Sequence, residues 1–230
     1  MGLELYGRIE PLLGFDEEAE GLYELYIELL KSWKPKKLID IGCGNGRFMQ
    51  RAIEKLHPKK AYGVDLSETM VQRARALGLK ADAVDICDVR ERFDAATAVF
   101  DVLNYLRRDE LVRFLCCVAE VLEEGGIFLA DINTLVGFEE VAPGTIVRDH
   151  DEVFLAVDAD FDGERLTTRF DLFTKKGECY RRESDEIVQY YHPVEAIAQM
   201  CEELELIQSY PVTMFADEPD KEILVFRKVV

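Results

Sequence analysis

The chain has 230 residues, 48% of them apolar and 32% charged, which is material for one well-buried core with an insertion and excludes the disordered and fibrous classes. Acidic residues outnumber basic ones by 46 to 28, and the resulting net charge of -18 repels a phosphate backbone, so nucleic-acid partners are disfavoured. No apolar run approaches the roughly 20 residues that cross a bilayer. The opening Met-Gly-Leu-Glu-Leu-Tyr also lacks a basic region followed by an apolar stretch, so no membrane partner and a cytoplasmic location are expected.

In chain order, Leu22, Leu25, Tyr26, Leu29, Leu30 and Trp33 recur at helical spacing and predict an amphipathic helix over 17–33, closed by Lys34-Pro35. Residues 37–41 follow as a buried strand, then a glycine-rich turn and a helix over 47–56 ended by His57-Pro58. A second strand over 61–66 precedes Ser67, an N-cap for a helix to about 77 that Gly78 closes in the left-handed conformation. Further strands are expected over 80–84, 94–100 and 127–132, with a helix over 108–122 between the last two. Strands alternating with helices imply a parallel sheet covered on both faces. Three alternating runs at 153–161, 166–173 and 179–188, joined at Asp162-Gly163 and Lys176-Gly177, then predict an antiparallel meander. Helical spacing returns over 193–203, and two strand-like runs at 206–212 and 222–229 end the chain.

The six cysteines include no Cys-x-x-Cys pair and no histidine cluster, so neither a metal site nor a disulfide framework is expected. Cys116 and Cys117 lie in an apolar helical pattern and are predicted as buried thiols. The short basic clusters at Lys34 to Lys37 and Arg107-Arg108 are expected to be solvated helix ends and turns.

The central chemical signal is Asp40-Ile-Gly-Cys-Gly-Asn-Gly46, in which Gly42, Gly44 and Gly46 fall between a strand and a helix with free N–H groups. Its G-x-G-x-G spacing differs from the G-x-G-x-x-G of dinucleotide sites, and a carboxylate at Asp40 suits a ligand with a cationic amino group rather than a pyrophosphate. Asp65 ends the second strand on the same sheet edge, where a carboxylate can accept both hydroxyls of a ribose. Asp82 ends the third, where it can accept from an adenine amine, with Asp85 as the alternative.

With these carboxylates at successive strand ends, residues 37–133 resemble the class I S-adenosylmethionine-dependent methyltransferases, whose first motif is matched without departure from Asp40 to Gly46. The segments 93–106 and 129–134 resemble a bacterial small-molecule-type subgroup with a β insertion after the fifth strand, although His192 and Pro193 depart from its pattern. The resemblance implies a doubly wound, Rossmann-like seven-stranded α/β sheet whose last strand is antiparallel, with a β-meander insertion and an N-terminal helical lid. It divides the chain into a lid at 1–36, a cofactor-binding domain at 37–146 and 190–230, and the insertion at 147–189. It further implies S-adenosylmethionine as cofactor, held by Asp40, Gly42, Cys43, Gly44, Gly46, Asp65, Leu66, Met70, Asp82, Ala83 and Phe100. A small-molecule acceptor of the methyl group, at nitrogen or oxygen, would meet Asp101, Asn104 and Tyr105 after the fourth strand. His192, just before Pro193, is expected to cap the next helix. The alternatives are a cofactor-binding module without turnover and an RNA or protein methyltransferase, and a monomer or homodimer is expected.

Overall fold

The computed structural model describes residues 3–229. Two helices come first, α1 (Leu3–Leu13) and α2 (Asp16–Trp33), followed by β1 (Lys37–Ile41), α3 (Arg47–Leu56), β2 (Lys60–Asp65), α4 (Glu68–Ala76), β3 (Ala81–Ala83), β4 (Phe93–Ala98), α5 (Arg108–Val121) and β5 (Leu122–Asn133). A second sheet of β6 (Gly144–His150), β7 (Val153–Phe161), β8 (Arg165–Lys176) and β9 (Cys179–Tyr190) precedes the short α6 (Val194–Ile197) and the closing hairpin β10 (Leu204–Val212) and β11 (Lys221–Lys228).

The main sheet has the order β10-β11-β5-β4-β1-β2-β3, with β11 antiparallel to β5 and the β1 to β5 neighbours parallel. Alternation along each strand builds two cores. Leu38, Ala95, Ile127, Leu129 and Ile223 pack under α2 and α3, while Ile39, Ala96, Phe128, Leu224 and Phe226 pack under α5 and α6. The expected doubly wound sheet is therefore present, and the strand order reverses between β1 and β4, the place where ligands bind in such sheets.

Local signals operate as read at several ends. The Ser67 hydroxyl accepts from Met70 N at 3.2 Å, and Gly78 takes a φ of +81°. Four differences stand out. The meander has four strands, because the exposed β6 pairs with β7 without an apolar face strong enough to declare it. The helix expected over 193–203 is one turn, continued by tight three-residue bonds such as Met200 N to Ile197 O. An additional helix, α1, lies before α2, its pattern interrupted by Pro11 near its end. Finally, Cys117 is not a thiol: it forms a disulfide with Cys87 across 30 residues, tying the turn after β3 to α5, while Cys116 is exposed.

Among the described residues no helix is long and apolar enough to cross a membrane, and no group of side chains is arranged to hold a metal ion.

Candidate active site

The turn after β1 is built on three left-handed glycines, Gly42, Gly44 and Gly46. A β-carbon at Gly42 would come within 2.8 Å of the Val102 side chain, whereas one at Gly44 would meet nothing within 4 Å, so the loop is packed at its base and open at its crown. Gly44 N donates to Asp65 Oδ2 at 2.8 Å, and Ser67 N donates to Asp65 Oδ1 at 2.8 Å, which fixes the β2 carboxylate beside that opening. Burial raises the Asp65 carboxyl and these backbone bonds act against the rise.

Asp40 lies at the end of β1, 2% exposed, and accepts from the Thr97 hydroxyl at 2.8 Å. Burial pushes its carboxyl up to about 7, the Thr97 bond opposes this, and the charge of Asp65 adds to it. Two acidic strand tips thus flank one bare turn, close enough for the charge of one to raise the carboxyl of the other. Cys43 is buried beneath the loop, and Leu66, 64% exposed, projects beside Asp65.

Asp82 and Ala83 end β3, with Ala83 in register with Asp65. The Asp82 carboxylate accepts from Tyr62 Oη at 2.8 Å and from Arg75 at 2.5 Å, and these partners hold it below the usual range. Asp85 caps the following turn through Cys87 N and pairs with Arg113 at 3.2 Å, so its side chain is committed elsewhere. Met70 is buried beneath α1, where a β-carbon on Gly7 would lie 3.3 Å from its sulfur.

At the tip of β4, Phe100 and Asp101 both take left-handed backbone, at φ +67° and +52°. Such non-glycine conformations cost on the order of 1 kcal/mol each. Asp131 at the end of β5 stabilises them, accepting from Phe100 N at 2.7 Å and Asp101 N at 3.0 Å. Tyr26 of α2 donates to the same carboxylate at 2.7 Å. Lys221 at the start of β11 completes the arrangement with bonds to Asp131 at 3.2 Å and Asn133 at 2.9 Å and an ion pair to Asp101.

Asn104, expected at the acceptor, is fully buried, and both ends of its amide are occupied: it donates to Tyr190 O at 2.9 Å and accepts from Asn133 N at 3.0 Å. It is a tie between the β4 and β5 tips and the second sheet. His192 does not cap α6, because its ring meets Leu106 O at 2.8 Å. Tyr26 and Phe170 are core residues, and Tyr180 faces solvent.

Helix α1 roofs the β2 side of the glycine turn. Glu4 accepts from Ser67 Oγ at 2.6 Å, Arg73 donates to Gly7 O at 2.6 Å, and Arg8 forms a two-pronged pair with Glu183 of β9. On the inner side of α1, the Glu10 carboxyl is raised by burial against the lowering fields of Arg47 and Arg73. Its charge acts on Tyr6, Tyr23 and Tyr105, whose phenols burial keeps protonated at neutral pH. Sequence reading missed Tyr6, Glu10, Asp131 and Lys221. The four-residue spacing of Tyr6 and Glu10 was a usable signal once α1 was known to be helical.

A bare, left-handed backbone crown flanked by two acidic strand tips lies at the switch point, where open α/β sheets bind their ligands. Residues 38–126 match the family model described as a methyltransferase domain. The demethylmenaquinone methyltransferase of Bacteroides fragilis is 29% identical over 111 residues, covering 44% of each protein, so the chain spans about half the length of the curated relatives it matches. An S-adenosylmethionine-dependent methyltransferase structure from Clostridium acetobutylicum superposes with a TM-score of 0.78 at 23% identity, over 99% of this chain and 98% of that one. The sugar N-methyltransferase KedS8 from Streptoalloteichus does so with 0.76 at 19% identity, over 99% and 93%. Residues 38–126 thus match a methyltransferase domain, and the fold is the one shared by these S-adenosylmethionine-dependent methyltransferase structures. S-adenosylmethionine is the cofactor of that class, and the donor set fits it: an open backbone at Gly44 and acceptors at Asp40 and Asp65 for a cationic amine and a ribose.

Proposed function

We propose that the protein transfers a methyl group from S-adenosylmethionine to the nitrogen of a small amine-bearing molecule that enters beneath α1. The observation carrying this reading is Glu10, a half-buried carboxylate of α1 whose charge reaches the phenols of Tyr6, Tyr23 and Tyr105. A carboxylate in that setting favours a cationic acceptor, and the protonated phenols offer hydrogen-bond donors or ring faces but no base for a hydroxyl acceptor. The similarity in fold to a sugar N-methyltransferase supports the same class of acceptor.

In this reading Asp40 and the Gly42 to Gly46 backbone, with Cys43 beneath it, hold the methionine part. Asp65 would accept the ribose hydroxyls. Leu66 covers one adenine face, Asp82 with Ala83 lies at the adenine edge, and Met70 and Phe100 wall the cleft. The bound cofactor supplies an electrophilic methyl carbon on a sulfonium. Glu10 binds the acceptor ammonium and takes one of its protons, a task its raised carboxyl suits. Tyr105 and Asp101 border the path along which the freed lone pair approaches in line, and the closed roof excludes water. The product leaves as the methylated ammonium once α1 opens.

Mass spectrometry of reactions with S-adenosylmethionine and a panel of amino sugars, primary amines and their hydroxyl analogues tests this. Methylated amines are expected. Methylation confined to the hydroxyl analogues would refute the assignment to nitrogen.

A further inference from the structure

At the opposite end of the sheet from the cleft, two turns of the same chemistry lie side by side. Lys34-Pro35-Lys36-Lys37 leads from α2 into β1, and His57-Pro58-Lys59-Lys60 leads from α3 into β2. Each begins with a left-handed residue that closes its helix, Lys34 at φ +49° and His57 at φ +51°. The two strands pair in register with Lys37 opposite Lys60, and Lys60 N donates to Lys36 O at 3.0 Å, so the turns are locked together. Between them is a concavity of about 330 Å³ lined by Lys31, Lys34, Lys36, Lys55, His57 and Lys59, together with Pro35 and Leu56.

Seven of the chain's lysines fall within residues 31–37 and 55–60, in a protein whose net charge is -18. Three are neutralised: Lys31 by Glu28, Lys37 by Glu123 and Lys60 by Glu91. Among the described residues Lys34, Lys36, Lys55 and Lys59 pair with no carboxylate, although acidic side chains outnumber basic ones across the surface. Helix-end electrostatics explain lysines in or at the last turns of α2 and α3, such as Lys55 and Lys34, by their attraction to terminal carbonyls. They do not explain Lys36 and Lys59, which lie beyond both helices and line the same hollow from its two sides.

We propose that this hollow is a binding site for a small ligand carrying two or more phosphates, with one anionic group on the Lys34–Lys36 side and another on the Lys55–Lys59 side. Ammonium groups on flexible stems act as point charges for phosphate. The hollow is in the lower part of the size range of small-molecule sites, and the two-sided placement of charge favours a divided anion over a single one. It is separate from the methyl-transfer cleft: the glycine turn and Asp65 sit at the carboxyl ends of β1 and β2, roughly 15–20 Å away along strands of five and six residues.

The test is calorimetric titration of the full chain with inorganic pyrophosphate at low salt, comparing the wild type, Lys36→Glu/Lys59→Glu and a control of equal charge change, Lys175→Glu/Lys176→Glu. The substituted lysines at 36 and 59 are exposed, so folding is expected to persist, and thermal unfolding of each variant checks it. The wild type should bind, with affinity falling as ionic strength rises. The first variant should lose at least about tenfold in affinity while the control and the titration with S-adenosylmethionine stay unchanged. No binding of pyrophosphate at about 10 mM, equal loss in the control, or equally tight binding of a glutamate-rich peptide would overturn the proposal, the last in favour of an acidic protein surface.

Discussion

Lys221 Nζ lies 3.2 Å from Asp131 Oδ2, and both residues are buried, one at the start of the final strand and the other at the end of β5. Desolvation pushes the Lys221 ammonium down and the Asp131 carboxyl up, and the bonds that Asp131 accepts from Tyr26 and Phe100 N act against the second shift. The pair anchors the β4 tip, since Asp131 also holds Phe100 N and Asp101 N while Lys221 reaches Asp101. Lys221→Met leaves two carboxylates without their buried partner, and the expected loss is about 3–5 kcal/mol by denaturant unfolding. Lys221→Met/Asp131→Asn should recover part of it. A single variant as stable as the wild type would mean that the pair is not formed.

Asp40 makes stability and binding depend on pH in opposite senses. Its carboxyl sits at about 7 in the folded chain against an ordinary 3.8, so between these values the folded state keeps a proton that the unfolded state has released. Ligand-free stability should therefore fall as pH rises through that window. A cationic amine binds the ionised form, so S-adenosylmethionine affinity should rise between about pH 6 and 8. Asp40→Asn should flatten both profiles, measured by thermal unfolding and calorimetry.

Glu10→Gln removes the carboxylate beneath the roof while preserving its shape. For an amine acceptor kcat/KM should fall by about 10²-fold, with little change in S-adenosylmethionine affinity. Tyr105→Phe should weaken acceptor binding less, because the ring remains. Unchanged turnover in Glu10→Gln would remove this residue from the reaction.

The Cys87–Cys117 bond closes a 30-residue separation. Thiol titration of the unfolded, non-reduced chain should count four cysteines out of six. Cys117→Ala should lower stability by about 2–4 kcal/mol. Six titratable thiols would contradict the bond.

Much of the architecture was legible because each signal was local. Ser67 and Gly78 bound α4, Asp162-Gly163 and Lys176-Gly177 turn the meander, and the alternation of apolar residues into two cores follows from buried parallel strands. The acidic strand tips were equally readable, since Asp40 and Asp65 end their strands in sequence as they do in space. What escaped depends on partners distant in the chain. Nothing near Lys221 announces Asp131, 90 residues earlier, and nothing near Cys117 announces Cys87. Asn104 reads as an acceptor contact because a polar residue after β4 looks available, whereas its amide is satisfied by Asn133 and Tyr190. β6 was missed because an edge strand with little apolar face is defined by its neighbour.

Calorimetric titration with S-adenosylmethionine, on the wild type and on Asp65→Ala, tests the nucleoside site most directly. Saturable one-to-one binding by the wild type, weakened at least about tenfold in Asp65→Ala, is the predicted result. No heat of binding in the wild type at about 1 mM ligand, or equal affinity in the two proteins, would contradict a cofactor held between the glycine crown and the tip of β2.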